Sequence, residues 1–460
     1  MNNFFGILSM VIVVTGALLT IPIMIKMKYP FASPLTWAIK SFPEAFAHYL
    51  AAASLVACLL ALGNGMWWTS IVAVYAYLFY MGYLYGVKDA ILSAQHGLAA
   101  SAPTSELFLK SPVAWRLPVV SPDAYQVQHD IPFHTIPGLG RTLLCDVWEP
   151  AAGAYRSGLA MIYFHGSAWC VLDKDFGTRK LFSHLTAQGH VIMDVAYRLY
   201  PETNMMGMVQ DVYRSIAWMK EHAREYAIDP GKIVLGGGSA GGHLSMLAAY
   251  HYEGYRRGME KESWVPAEII GHELSVNAVI SMYGPTDLVA LYDRGRQDLL
   301  DDKLQRSYRK NKKEKSTPSW MLKMLGNDFH RSGFDRMKAP ALLPEILGCR
   351  PEECPALYAA YSPVSHVTVG SPATLQIQGT HDIITPPSAA EKLHRLLREK
   401  GVYSELYLLP LTDHAFDLVV PRLSMVAHSA YYVVERFLAR RAIASKVEVQ
   451  ATGKKELVMG

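Results

Sequence analysis

The sequence predicts an α/β fold, a mostly parallel sheet flanked by helices, behind an N-terminal helical membrane region. Three observations lead there. Short, mostly apolar runs such as Leu159–Phe164, Val191–Ala196, Ala278–Tyr283 and Thr374–Gln378 alternate with amphipathic helical stretches, the pattern of strands buried on both faces of a parallel sheet. The short apolar run Lys232–Leu235 leads into the glycine-dense turn Gly236-Gly-Gly-Ser239-Ala-Gly-Gly242, and a helical run from Leu244 follows. Finally, the first 88 residues carry uncharged stretches long enough to cross a bilayer.

Those stretches account for much of the composition. The chain has 460 residues, 51% of them hydrophobic and 18% charged, greasier than a soluble enzyme of this size. Phe4–Ile25 and Met66–Val87 each run for 22 residues without a charge. The second carries Trp67 and Trp68 at one end and Tyr83 and Tyr85 at the other, as an aromatic belt would. Ala45–Leu62, 18 residues with His48 inside, is a shorter third candidate. A cleaved signal peptide fits poorly, because no basic segment precedes the first run and the run is too long. Two to three transmembrane helices are therefore expected over residues 1–88, with a catalytic domain over 89–460. Lys26, Lys28 and Lys40 follow the first run and Lys88 follows Val87. With three spans, the positive-inside rule puts the N-terminus outside and the catalytic domain on the cytosolic side of what is expected to be an endomembrane, whereas one anchor plus a hydrophobic flap lying on the membrane would leave the side undecided. A net charge of +4, dispersed along the chain, gives no basis for nucleic-acid binding. Five cysteines without metal spacing suggest free thiols; Cys349 and Cys354, the only close pair, read as free thiols in a loop, with a bridge left open to them if the domain is lumenal.

Past the membrane region, residues 89–124 have no clear period and read as a linker contributing to a cap. Tyr125–Thr135 and Thr142–Trp148 flank Pro137-Gly-Leu-Gly140, a hairpin signature. Asp211–Tyr226 reads as a helix with Asp211 as N-cap and an apolar stripe of Val212, Ile216, Met219 and Ala223. Glu405–Leu409 completes the strands. Between 286 and 361 the alternation stops, and a basic run at Lys303–Lys315 suggests a solvated cap segment.

The chemistry converges on Ser239. Gly237-Gly-Ser239-Ala-Gly241 fits G-x-S-x-G, in which a strained strand-to-helix turn lifts a nucleophilic serine and Gly237 and Gly241 must be small to avoid clashes. The same letters also fit the dinucleotide loop G-x-G-x-x-G, which requires an acidic residue about 20 positions on at the end of a second strand. Glu260 and Glu262 lie near that distance, but in a charged stretch that makes a poor strand. A serine nucleophile needs a base oriented by a carboxylate. Asp382 follows the strand Thr374–Gln378, and His414 follows Glu405–Leu409, giving the chain order Ser, acid, His. The oxyanion donors expected are the backbone N–H groups of Ala240 and of the turn Gly166-Ser167-Ala168, with His165 bracing that turn. His381 and His243 read as packing or surface residues.

Taken in order, the His165-Gly turn, Tyr197-Arg-Leu-Tyr-Pro-Glu202, Asp229-Pro-Gly-Lys-Ile233, the serine elbow, Gly379-Thr-His-Asp382 and His414-Ala-Phe416 resemble the hormone-sensitive-lipase-like branch of the α/β-hydrolases. Membrane-anchored esterases of the arylacetamide deacetylase type belong to that branch. The resemblance covers about 159–416 and implies a serine esterase acting without metal or organic cofactor on esters of apolar small molecules or lipids. The alternative function is the same fold turned to non-hydrolytic tailoring, or to binding, of an apolar metabolite. Two positions depart from the branch. Ser167 and Ala168 stand where its His-Gly-Gly-Gly turn has glycines, and Gly238 stands where its Gly-Asp-Ser-Ala-Gly elbow has an aspartate.

Overall fold

A computed structural model of the chain describes residues 2–26, 34–95, 108–300 and 339–456. The basic run 303–315, the middle of the expected cap at 286–361 and part of the linker at 89–124 lie outside the described residues.

Eight strands form one sheet in the order β1-β2-β4-β3-β5-β6-β7-β8. They are β1 (Tyr125–Thr135), β2 (Thr142–Pro150), β3 (Ala160–Phe164), β4 (Val191–Ala196), β5 (Ile233–Gly238), β6 (Ala278–Met282), β7 (Ala373–Gly379) and β8 (Ser404–Leu409). The β1–β2 hairpin is antiparallel and sits at the edge, and β2 pairs antiparallel with β4; the remaining pairs are parallel. Burial follows this layout. Every residue of β3, β5 and β6 is buried, whereas β1 exposes most of its residues. The pairing aligns strand ends: Phe164 lies opposite Gly237, Gly238 opposite Met282 and Gly379 opposite Leu409. The loops after β3, β5, β7 and β8 therefore leave the same carboxyl edge, where open α/β sheets bind their ligands.

The helix after β4 differs from expectation. It runs Met205–Glu221, capped by Asn204, whose side chain accepts from the Gly207 amide. Asp211 lies inside it, fully buried, bonded to both Arg198 and Arg214 at 2.8 and 2.9 Å. Asp211 is thus a buried ion-pair centre rather than an N-cap, and the expected apolar stripe packs on the sheet. The glycines Gly236–Gly238, expected in a turn, extend β5. The turn itself is Ser239 alone.

Cys349 and Cys354 form a disulfide instead of standing as free thiols, their Cα atoms 6.3 Å apart. That separation lies within the reach of a bridge.

The N-terminal region contains α1 (Asn2–Met24), α2 (Pro34–Ala45), α3 (Ala47–Gly63) and α4 (Trp67–Ala94). Two of these, Phe4–Met24 and Trp67–Ala94, are long and apolar enough to cross a membrane. The α2–α3 pair, bent by 68° at Phe46, would make a third. Gly16 of α1 accepts from the Tyr80 hydroxyl of α4 at 2.7 Å and packs against Ser54 of α3. The last expected span continues past Lys88 to Ala94, because Val87 and Ile91 are buried in the same core as β7, β8 and the C-terminal helix.

Removing the Asp211 carboxylate leaves two buried guanidinium groups without their shared partner. Asp211→Ala is expected to lower unfolding free energy by about 3–5 kcal/mol, read from denaturant unfolding in detergent.

Candidate active site

Ser239 stands at the β5–helix junction with φ 48° and ψ −120°, a conformation that disfavours a side chain. The sequence makes this turn possible by leaving its neighbours bare. A Cβ on Gly241 would lie 1.9 Å from the Phe164 carbonyl oxygen, and one on Gly237 would lie 2.5 Å from it. The following helix α5 of the site, Ala240–Arg256, begins at once, so its first amide, that of Ala240, has no intrahelical acceptor. The Ser239 amide is held by the Met282 carbonyl at 2.9 Å. Glu260, which a dinucleotide loop would need at a strand end, lies beyond this helix and contacts His366 at 2.6 Å.

The structure brings together the three side chains singled out for the site. His414 Nε2 lies 3.0 Å from Ser239 Oγ, and His414 Nδ1 lies 2.8 Å from Asp382 Oδ2. The carboxylate fixes the tautomer: Nδ1–H donates to Asp382, leaving Nε2 to accept from the serine hydroxyl. Asp382 is fully buried and its oxygens are saturated. Oδ2 also accepts from Gln378 and the Thr385 hydroxyl, each at 2.7 Å, and Oδ1 from the Ile384 and Thr385 amides, each at 2.8 Å. Burial works to raise its pKa, but the His414 imidazole and the Thr385 hydrogen bonds outweigh it and hold the carboxyl below its usual range. Neighbouring Asp413 turns its carboxylate to the Ile383 and His414 amides, at 2.9 and 2.7 Å. Burial, reinforced by the charge of Asp382, pushes Asp413 up to about 6.

The two departures have local causes. At Gly238 a Cβ would lie 2.8 Å from the Tyr283 hydroxyl, so the space an aspartate would need is taken. Tyr283 donates to the buried Asp417 at 2.5 Å, and its ring centroid lies 4.6 Å from that of His414. At the other turn, Trp169 N–H donates to Ser167 Oγ (3.0 Å), Ser167 is 2.6 Å from the Tyr197 hydroxyl, and Tyr197 donates to the His165 carbonyl (2.9 Å). Since Tyr197 spends its proton on His165, Ser167 must donate to Tyr197. The result is one directed chain that a glycine at 167 could not close. Ala168 and Trp169 both adopt positive φ, 46° and 61°, and the chain holds that strained turn. Gly166 packs against the elbow, where a Cβ would lie 3.2 Å from the Gly238 oxygen and 3.3 Å from Ser239 Cβ. The His165 ring stacks on Tyr197 and makes only a long contact to the Gly166 oxygen, 3.4 Å. Burial lowers its pKa to about 4.

His243 is a core residue, bonded to the Tyr361 carbonyl at 2.8 Å and to the Trp169 indole. His381 is half-buried beside Lys40.

The BD-FAE family profile matches residues 145–327, which include Ser239, and the Prolyl oligopeptidase family profile matches 344–438, which include Asp382 and His414. The chain has the α/β-hydrolase fold. It is similar to the probable carboxylic ester hydrolase LipM of Mycobacterium tuberculosis, 28% identical over 65% of this chain and 58% of that protein. It thus spans less than two thirds of that relative's length. Bovine (Bos taurus) arylacetamide deacetylase is 35% identical over 20% of this chain and 24% of its own. A solved esterase from Thermogutta terrifontis, 22% identical, covers 69% of this chain and 94% of its own at a TM-score of 0.48.

Several supporting residues escaped the sequence. Gln378 and Thr385 brace Asp382, and Asp417 lies three residues past the histidine with nothing in its spacing to mark it. Trp37, Lys40, Glu44 and Tyr83 reach the site from the N-terminal helices. Lys40 and Glu44 left one trace, a charged i, i+4 pair.

Asp413 is protonated more readily in the fold than in the unfolded chain, so it costs stability as pH rises through about 4 to 6 and throughout the neutral range. Asp413→Asn keeps an acceptor for both amides. It is expected to raise stability at pH 7–8 by about 1–3 kcal/mol, a gain that vanishes below about pH 4 in melting curves recorded across pH.

Proposed function

We propose that the chain is a membrane-anchored serine hydrolase that cleaves carboxylic esters of apolar small molecules or lipids. The observation that carries this is His414, hydrogen-bonded at once to Ser239 and to the saturated, buried carboxylate of Asp382. In this reading His414 Nε2 takes the serine proton as Oγ attacks the ester carbonyl carbon. The tetrahedral oxyanion accepts from the backbone N–H groups of Ala240 and of the Gly166-Ser167-Ala168 turn. The imidazolium, stabilised by Asp382, returns its proton to the departing alcohol, leaving an acyl-serine. Water, deprotonated by the same histidine, releases the acid and restores the hydroxyl. The chemistry calls for no metal or organic cofactor. The similarity to proteins named as carboxylic ester hydrolases supports the reaction class.

Residues 1–88 form the membrane region in this reading and 89–460 the catalytic part, with segments at about 89–124 and 286–361 as a cap. Anchoring beside the bilayer suits a substrate that partitions into it. On the side of the membrane, two observations oppose the cytosolic expectation. The Cys349–Cys354 disulfide belongs to oxidising compartments. Lys40, one of the lysines behind that expectation, is buried against Glu44 rather than free in a loop. We read the catalytic part as lumenal. In sealed vesicles it is expected to resist external protease until detergent is added, and digestion without detergent would overturn the assignment.

Ser239→Ala is expected to lose turnover of short acyl esters by about 10⁴-fold or more and to take no fluorophosphonate label. Undiminished labelling of that variant would refute the reaction.

A further inference from the structure

We infer that α2 and its neighbouring membrane helices are a positioning element for His414, so that the N-terminal region is part of the catalytic apparatus rather than a tether. The inference rests on the hydrolase reading above.

Four consecutive residues of the histidine loop are each gripped from the N-terminal helices. Lys40 Nζ donates to the Leu411 carbonyl (3.3 Å), Tyr83 Oη bonds Thr412 Oγ1 (3.1 Å), Glu44 Oε2 accepts from the Asp413 amide (3.2 Å), and Trp37 Nε1 donates to the His414 carbonyl (2.7 Å). The acid loop is held in the same way: Lys26 Nζ donates to the Thr380 carbonyl at 3.1 Å, and Lys40 contacts His381 Nδ1 at 3.4 Å.

This loop requires outside support. Leu411 and Ala415, flanking His414, both adopt left-handed backbone, φ 57° and 55°. Non-glycine residues hold such conformations only where the surroundings over-determine them. The shortest of these bonds from the membrane helices, that of Trp37, falls on the peptide joining His414 to Ala415.

The gripping side chains are themselves fixed. Lys40 is fully buried, forms an ion pair with Glu44 (3.2 Å) and also donates to the Pro22 and Ile23 carbonyls (3.1 and 3.0 Å). Those carbonyls belong to the last turn of α1, where a helix lacks internal donors. One ammonium group thus caps a candidate membrane span and holds the catalytic loop. Ile23, Ala47, Ala51, Tyr83 and Val87 share one apolar core with Ile377, Tyr407 and Leu409, so helices and sheet edge form a continuous solid.

The test uses the full chain in detergent micelles or vesicles, with active sites counted by fluorophosphonate. Trp37→Phe keeps a ring and removes the N–H. It is expected to lower both kcat per labelled site and the rate of labelling by about tenfold to a hundredfold, with KM changed less than twofold and melting temperature nearly kept. Glu44→Gln keeps an acceptor for Asp413 N–H and is expected to retain most of the turnover, whereas Glu44→Leu is expected to lose it. A purely structural role would instead reduce the number of labelled sites while each surviving site turned over at the wild-type rate, and that result would overturn the inference alone. A wild-type chain that takes no label would overturn the hydrolase reading and this inference with it.

Discussion

The approach of the elbow to strand β3 is the constraint on which the site depends. Gly241 lies so close to Phe164 that a single methyl group would collide with the carbonyl oxygen. Only bare α-carbons at 237 and 241 allow β5 to end, reverse and enter its helix within one residue. That reversal lifts the Ser239 side chain clear of the sheet and leaves the Ala240 amide unspent at the helix start. Parallel pairing does the rest, since strands in register end together and bring their loops to one edge. Ser239, Asp382 and His414 then meet without any of them being near another in sequence.

Strain and its support recur around this edge. Ser239, Ala168, Trp169, Leu411 and Ala415 all carry positive φ without being glycine, each a cost of about 1–3 kcal/mol. Each is held by something specific. The serine is fixed by the Met282 carbonyl and the turn through Ala168 and Trp169 by the hydroxyl relay through Ser167 and Tyr197. The histidine loop is gripped by Trp37, Lys40, Glu44 and Tyr83. The Ser167 and Gly238 departures follow the same logic, because Tyr197 and Tyr283 occupy space and supply bonds that glycine and aspartate would serve elsewhere.

Periodicity and spacing made the strands, the elbow and the chain order of the three central residues legible, because those features are local. The sheet order then follows from parallel pairing and short connections. Asp211 misled because an aspartate before an apolar stripe is also what an N-cap looks like. Only the fold reveals that Arg198 arrives from the preceding loop to claim it. Gly236–Gly238 misled in the opposite sense: a glycine run usually breaks a strand, but here Met161 and Tyr283 fill the space the missing side chains leave. Cys349 and Cys354 carried no compartment label in their spacing. Trp37 and Glu44 were illegible because their partners lie some 370 residues away, beyond any pattern that a window of sequence can register.

The double attachment of Lys40 bears on how the chain is made. Its ammonium group and the Glu44 carboxylate are synthesised some 370 residues before Leu411 and Asp413, which complete their environment. While β8 is missing, that pair lacks the Leu411 carbonyl and the Asp413 amide. The loop after β8 supplies both partners and carries His414 with them. Seating of His414 is thereby tied to synthesis of β8 and the loop after it, and a nascent chain that has reached only Ser239 has no imidazole beside it.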